Sequence, residues 1–152
     1  MTETDLLIRL LAAFAAGGAL GLNRDLHHKA AGVRTIGLVS LASAMLVIAV
    51  GGASPSQAGY APVAPVIQGI MTGIGFLGAG VIVRGGTGTT QVHGLTTAAA
   101  IWLAAGAGVL CGVAAWSVLG IGIALVFVLL MFGGPLERWA ERLNNTGKPS
   151  KE

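Results

Sequence analysis

Long apolar stretches separated by short polar segments are the main pattern of this chain. Three of them, at residues 6–22, 35–52 and 66–83, are long enough to cross the hydrocarbon core of a bilayer, which is about 30 Å thick and needs roughly 20 helical residues. The core offers no water to backbone N–H and C=O groups, so an isolated spanning stretch must satisfy them as a helix. The pattern therefore predicts three transmembrane helices before residue 84.

The last apolar stretch, residues 95–134, is too long for one membrane-spanning helix. At 1.5 Å per residue it would form a helix of roughly 60 Å, twice the thickness of the core. We place a tight turn between Gly112 and Ser117, because Gly112 can end a helix and Trp116 suits the lipid headgroups. The chain is therefore predicted to be an all-α integral membrane bundle of about five transmembrane helices.

Lys and Arg residues outside the predicted helices occur only in alternate connections. The segments that contain them are 23–34, 84–94 and the tail, and the segments that contain neither are 53–65 and 112–117. Positively charged connections are retained in the cytoplasm. We therefore expect the N terminus outside, a transmembrane domain at residues 1–134 and a short cytoplasmic tail at residues 135–152.

Composition supports the membrane assignment. The chain is 54% hydrophobic and 10% charged, its mean hydropathy is +0.80, and no Asp or Glu lies between Asp25 and Glu137. A soluble domain needs more solvated surface than that. The net charge of +3 does not indicate nucleic-acid binding, since the basic residues lie in short connections rather than on one polar face. The acidic start of the chain indicates a retained helix rather than a cleaved signal peptide.

Many of the 25 glycines lie within the apolar stretches, where small residues let helix backbones approach closely. The pairs at i and i+4 are Gly17 and Gly21, Gly69 and Gly73, and Gly108 and Gly112. They predict contact faces, either between helices of one chain or, as the less favoured alternative, between two copies.

The run from Gly73 to Gly78 matches the dinucleotide-binding pattern G-x-G-x-x-G. That pattern needs a preceding strand, a following helix and an acidic residue about 20 positions further on. Here it lies inside a predicted transmembrane helix, and the next acidic residue is Glu137. We therefore exclude a nucleotide site, and we expect no cofactor.

Four segments in order, at residues 21–25, 31–35, 68–82 and 93–102, resemble the MgtC/SapB family of bacterial membrane proteins, over roughly residues 5 to 130. The run of glycines from Gly73 to Gly80, followed by Gly94-Leu95-Thr96-Thr97, is the most specific part. The family-motif residues that the resemblance marks as candidate site residues are Arg24, Asp25, Gly32, Arg34, Thr35, Gln68, Gly73, Gly75, Phe76, Gly78, Gly80, Gly94, Leu95, Thr96, Thr97 and Trp102.

The resemblance implies a multi-pass protein of the bacterial inner membrane that is linked to growth under magnesium limitation and to virulence. It also implies action on membrane protein partners, with the proton-driven ATP synthase as a candidate. Three departures from the family pattern limit which of the family's features can be transferred to this chain. Asn23-Arg24 stands where the family usually has Glu-Arg, so a carboxylate is missing or shifted to Asp25. Segment 61–66 lacks the usual Asp-Pro, and we expect no appended soluble C-terminal domain.

Several polar residues allow two interpretations. Arg24, Lys29 and Arg34 are either topological signals or a site for anionic headgroups or phosphate. Thr96 and Thr97 either cap the fourth helix, which we favour, or contribute with Arg84 and the Gly85–Gly88 loop to an anion site. Gln68 is expected to face the bundle and bond across helices.

The other singled-out residues have mainly structural interpretations. Arg9 either snorkels outward or has a structural partner, with a function inside the bundle as the alternative. Cys111 is a packing residue, and Trp102 is an interface anchor or a packing residue. His27 and His28 are adjacent in sequence and cannot readily bind one metal ion without His93.

A Mg²⁺ channel is disfavoured because Mg²⁺ sites usually need a carboxylate and the predicted helices after Asp25 have none. No nucleophile, base and orienting group occur together, so we do not expect an enzyme. The leading hypothesis is a non-enzymatic regulator that acts through helix contacts, which bulky residues at Gly75 or Gly78 would disrupt. One rival is a small-solute or ion transporter or channel, for which a homo-oligomer would offer a pore lined by Gln68, Thr72 and Thr97. The other is a lipid-binding scaffold.

Overall fold

The computed structural model describes residues 1–52, 63–84 and 94–145, and these ranges are all-helical. Every helix is long and apolar enough to span a membrane, as the pattern of apolar stretches predicts. The helices are α1 (Glu3–Leu26), α2 (Val33–Gly52), α3 (Ala64–Arg84), α4 (Leu95–Gly112) and α5 (Trp116–Asn145).

The predicted turn after Gly112 is confirmed. Helix α4 ends at Gly112 and α5 begins at Trp116. Between them Ala114 adopts a left-handed conformation with φ 57°, and the Ala115 N–H donates to the Leu110 carbonyl at 2.9 Å. This closing pattern satisfies carbonyls at the end of α4 that the helix itself leaves free.

Helices α1 to α4 form one compact unit, Met1–Trp116, with α4 packed against each of the other three. Helices α1 and α2 run antiparallel, since Gly17 lies beside Ser40 and Gly21 beside Val33. Helices α3 and α4 do so as well, since Gly78 lies beside Ala98 and Gly94 beside Val81. The apolar core joins α2, α3 and α4. Its buried members are Val47, Val63, Ile70, Ile74, Ile101, Ala105 and Val109.

Glycines let α1, α2 and α4 approach at backbone distance. A Cβ on Gly17 would lie 2.6 Å from Ser40 Cβ, and one on Gly112 would lie 2.7 Å from Val47 Cγ1. A Cβ on Gly108 would collide with the Ser40 carbonyl oxygen. Two of the three predicted glycine pairs, Gly17 and Gly21 together with Gly108 and Gly112, are therefore contact faces within the chain, as the favoured interpretation predicts.

Helix α5 belongs to a second unit, Ser117–Glu152. It is apolar from its start to Gly134 and continues as a helix to Asn145. The division into a transmembrane domain at residues 1–134 and a cytoplasmic tail at 135–152 stays a prediction, as does the orientation of the termini.

Candidate functional site

Arg24 and Thr97 form a buried polar pair between the end of α1 and the start of α4. The Arg24 Nη2 donates a hydrogen bond to Thr97 Oγ1, and the two residues are only 3% and 5% exposed. The Nε of Arg24 is buried and has no hydrogen-bond partner among the described residues. Both residues are family-motif candidates, 73 positions apart in sequence, and the fold brings them together.

The start of α4 differs from the favoured sequence prediction, which made Thr96 and Thr97 capping residues. Gly94 occupies the N-cap position, in a left-handed conformation with φ 90°, and no side chain caps the helix. The Thr97 hydroxyl accepts from Arg24 instead, and Thr96 is exposed. The capping interpretation is therefore wrong, because the Thr97 hydroxyl oxygen accepts a hydrogen bond from a guanidinium of another helix.

Gly94 is held close to α3. A Cβ at this position would lie 3.0 Å from the Val81 carbonyl oxygen, and its positive φ is one that residues with side chains rarely adopt. A glycine at this position therefore lets the backbone at the start of α4 lie directly against α3. Arg84 lies at the end of α3, but its side chain, the Gly85–Gly88 loop and His93 are outside the described residues.

Asp25, next to Arg24, closes the turn from α1 to α2. Its Oδ2 accepts a hydrogen bond of 3.0 Å from the backbone N–H of Val33, the first residue of α2. A Cβ on Gly32 would collide with the Asp25 carboxylate, so glycine leaves the space that this contact needs. Asp25 thus stabilises the positive end of α2, in the way an N-cap carboxylate does.

The other basic residues at this end are placed differently from Arg24. Lys29 and Arg34 are exposed, as are Thr35 and the adjacent His27 and His28. The His27 ring nitrogen Nδ1 lies 2.7 Å from the Asn23 carbonyl oxygen. Arg24 is therefore the one basic residue of the three candidates that the fold buries.

Helix α3 exposes most of its family-motif residues. Gln68 is exposed rather than facing the bundle, which corrects the prediction of a bond across helices, because the side of α3 that meets α4 carries Ile70 and Ile74. Gly78 is buried, and a Cβ there would lie 3.4 Å from Ala98 Cβ. The motif residues Gly73, Gly75, Phe76 and Gly80 are exposed.

Four of the exposed residues form one stripe, which we call the α3 glycine face: Gly69, Gly73, Phe76 and Gly80. Their spacing of four, three and four positions places them on one side of a helix. Phe76 is 81% exposed, and a Cβ on any of the three glycines would have no neighbour within 4 Å among the described residues. Unlike the other two glycine pairs, Gly69 and Gly73 make no close helix contact with the described residues of the Met1–Trp116 unit.

An open apolar groove of about 310 Å³ runs beside this face, between α2 and α3. Leu38 and Leu46 line it from α2, and Gly69, Gly73 and Leu77 line it from α3. Ser43 is its one lining residue with a side-chain hydroxyl, which donates to the Val39 carbonyl of its own helix. The groove therefore suits apolar contacts.

The remaining singled-out residues are structural or exposed. Arg9 has a structural partner, since it pairs with Asp5 at 2.9 Å and bonds the Gly112 carbonyl at 2.7 Å. Cys111 is fully buried, as a packing residue would be. Leu95 and Trp102 are more than half exposed on α4.

In the part of the chain that the structure describes, five helices able to span a membrane, a glycine-packed core and a polar end built from Arg24, Asp25 and Thr97 define a multi-pass helical membrane protein. Residues 10–139 match the family model described as "MgtC family". The chain belongs to this family. The match covers most of α1, all of α2 to α4 and most of α5, and it makes the chain a protein of the bacterial inner membrane.

Curated relatives agree with the family match. The chain is 36% identical over 138 residues to Protein MgtC of Salmonella typhimurium strain LT2, which covers 91% of this chain and 55% of that protein. It is 40% identical over 137 residues to Protein SrpB of Synechococcus elongatus, which covers 85% of this chain and 74% of that protein. The chain thus spans about half the length of the MgtC relative. No significant match is found among the solved structures.

Proposed function

We propose that this protein is a non-enzymatic regulator of the inner membrane that binds a transmembrane helix of another protein through its α3 glycine face. The role is adaptation to magnesium limitation or related stress, as the MgtC resemblance implies. The candidate partner, from the same resemblance, is the proton-driven ATP synthase.

The exposed α3 glycine face is the observation that supports this function. Lipid tails give no hydrophobic drive for helix association, so close backbone approach along small residues is a main source of affinity between membrane helices. Gly17, Gly108 and Gly112 already use this means within the chain, where added side chains would collide with neighbours. Gly69, Gly73 and Gly80 have no close neighbour among the residues that the structure describes, so this face can accept a further helix.

The first experiment reconstitutes purified bacterial ATP synthase in sealed vesicles with this protein and measures proton-driven ATP synthesis. Wild-type protein is expected to lower the rate, and Gly73→Leu is expected to lose that effect because the side chain holds the helices apart. Gly18→Leu is the matched control, since a Cβ on Gly18 in α1 also has no neighbour within 4 Å. An unchanged rate with correctly inserted wild-type protein contradicts this partner.

A parallel measurement addresses the transporter alternative. Vesicles that hold only this protein are tested for Mg²⁺ and proton flux, since a pore must pass solute without a partner. Of the residues proposed to line a pore, Gln68 and Thr72 are exposed on α3, whereas Thr97 is buried against Arg24. Flux above that of empty vesicles, abolished by a change at Gln68, would replace the regulatory proposal with a transport function.

A further inference from the structure

Arg24 is a buried positive charge that has no counter-charge among the side chains that the structure describes. No carboxylate of the described residues lies within salt-bridge distance of it, since the one ion pair among them joins Arg9 and Asp5. Asp5 is 19 positions earlier in α1, about 28 Å along the helix axis. Removing a charge from water without pairing it is unfavourable in free energy.

The sequence limits which carboxylates of this chain can supply the missing charge. No Asp or Glu occurs between Asp25 and Glu137, so neither of the connections beside α3 contains one. The Asp25 carboxylate is engaged by the N–H of Val33 at the start of α2.

The first turn of α4 adds positive potential at the same place. The free N–H groups at a helix start carry a partial positive charge and favour anions, and here the N-cap residue is a glycine that supplies no side-chain oxygen. The Arg24 side chain reaches this turn, where it bonds Thr97. Its buried Nε–H group has no acceptor among the described residues. The negative end of α1, near which Arg24 lies, offsets only part of this potential.

The start of α4 is exposed beside this buried pair. Arg24 and Thr97 are buried, but Leu95 and Thr96 of the same helical turn are exposed and Gly94 is partly exposed. Arg24 and Thr97 both stand near ends of membrane-spanning helices, which is the depth of lipid headgroups. A group that enters past Thr96 would meet the guanidinium and the helix start together.

We propose that the first turn of α4 and Arg24 form a binding site for a phosphate group, in which Arg24 Nε and the N–H groups of Leu95 and Thr96 donate to the phosphate oxygens. Guanidinium groups favour phosphate because their N–H groups match its oxygens in pairs. The site is separate from the α3 glycine face and does not depend on the regulatory role. Its phosphate belongs either to an anionic lipid headgroup or to a free phosphate ion.

The test measures the apparent unfolding temperature of the full purified chain in an uncharged detergent. One series replaces chloride by inorganic phosphate at constant ionic strength, and another adds phosphatidylglycerol or, for comparison, phosphatidylcholine. Arg24→Gln removes the proposed ligand, and Arg34→Gln is the matched control, because Arg34 is an exposed arginine at the start of α2.

A rise in unfolding temperature with phosphatidylglycerol but not inorganic phosphate assigns a lipid headgroup, and a rise with inorganic phosphate assigns the free ion. In either case the rise must persist in Arg34→Gln and vanish in Arg24→Gln. If Arg24→Gln does not insert, Arg24→Lys replaces it, with about tenfold weaker binding expected from the loss of the Nε donor. No rise with either ligand, or equal rises in wild type and the Arg24 variant, overturns the proposal.

Discussion

The guanidinium of Arg9, in the first part of α1, donates a hydrogen bond of 2.7 Å to the backbone carbonyl of Gly112, the last residue of α4. The same guanidinium bonds the Asp5 carboxylate one turn earlier in its own helix. Carbonyls in the last turn of a helix have no partner within that helix. Arg9 therefore satisfies one of these orphan groups and fixes the end of α4 against α1.

Replacing Arg9 is expected to destabilise the protein. Hydrogen bonds to charged groups contribute about 1.5–3 kcal/mol, so Arg9→Gln should lower the free energy of unfolding by an amount in that range. The measurement is unfolding in mixed detergent micelles. Asp5→Asn is the control, since it weakens the half-buried ion pair and leaves the bond to Gly112; equal losses in the two variants would argue that Gly112 contributes little.

Adding one methyl group should distinguish the packed glycines from the free ones. Gly108→Ala places a Cβ against the Ser40 carbonyl, and overpacking of this kind costs about 1–3 kcal/mol. Gly106→Ala, on the same helix, meets nothing within 4 Å and should be neutral or slightly stabilising. The free energies of unfolding of both variants are compared with that of wild type, and a harmless Gly108→Ala would contradict the close approach of α2 and α4.

The turn between α1 and α2 should depend on the Asp25 carboxylate. Asp25→Ala removes the acceptor for the Val33 N–H and is expected to cost about 0.5–2 kcal/mol, as loss of an N-cap does. Asp25→Asn keeps an oxygen acceptor and should retain most of the stability. Hydrogen exchange of the Val33 amide is the direct measurement: exchange that is no faster in Asp25→Ala would show that the carboxylate does not protect this group.

Ser40 and Ser43 lie one turn apart on α2 and should differ in their effect on stability. The Ser40 hydroxyl donates to the Ala13 carbonyl of α1 at 2.8 Å, whereas the Ser43 hydroxyl donates to Val39 of its own helix. Hydrogen bonds between membrane helices average about 0.6 kcal/mol, so Ser40→Ala should lower the free energy of unfolding by about that amount. Ser43→Ala is the internal comparison, because the Ser43 hydroxyl bonds only its own helix. It should leave the efficiency of crosslinking between the ends of α1 and α2 unchanged.

Sequence patterns predict the helices well because the bilayer imposes their length. The break after Gly112 could be predicted, since an unbroken helix of residues 95–134 would be twice the thickness of the membrane core. The packing role of Cys111 and the structural partner of Arg9 also follow from residue type, because a thiol in an apolar run and a charge near a helix end have few stable placements.

The polar contacts were harder to predict because they depend on which helix faces which. Thr97 could cap its own helix or bond another, and only the position of α1 beside α4 brings Arg24 to its hydroxyl. Gln68 was expected inside the bundle, yet polar character alone does not determine which side of α3 meets α4. Ser40 was missed, although a hydroxyl in the middle of the apolar run of α2 was a signal that it has a partner.

Bonds at both ends of α1 fix its register against α4: Arg9 holds the Gly112 carbonyl at one end, and Arg24 holds Thr97 at the other. A slide of one helical turn, about 5.4 Å, would break both bonds at once. Among the described residues, no side-chain hydrogen bond ties α3 to another helix. The one side-chain hydrogen bond that α3 makes there runs from the Thr72 hydroxyl to a carbonyl of α3 itself. The α1–α4 pair thus serves as a fixed frame held by polar bonds at both ends, whereas α3 packs against that frame through the apolar side chains of the core.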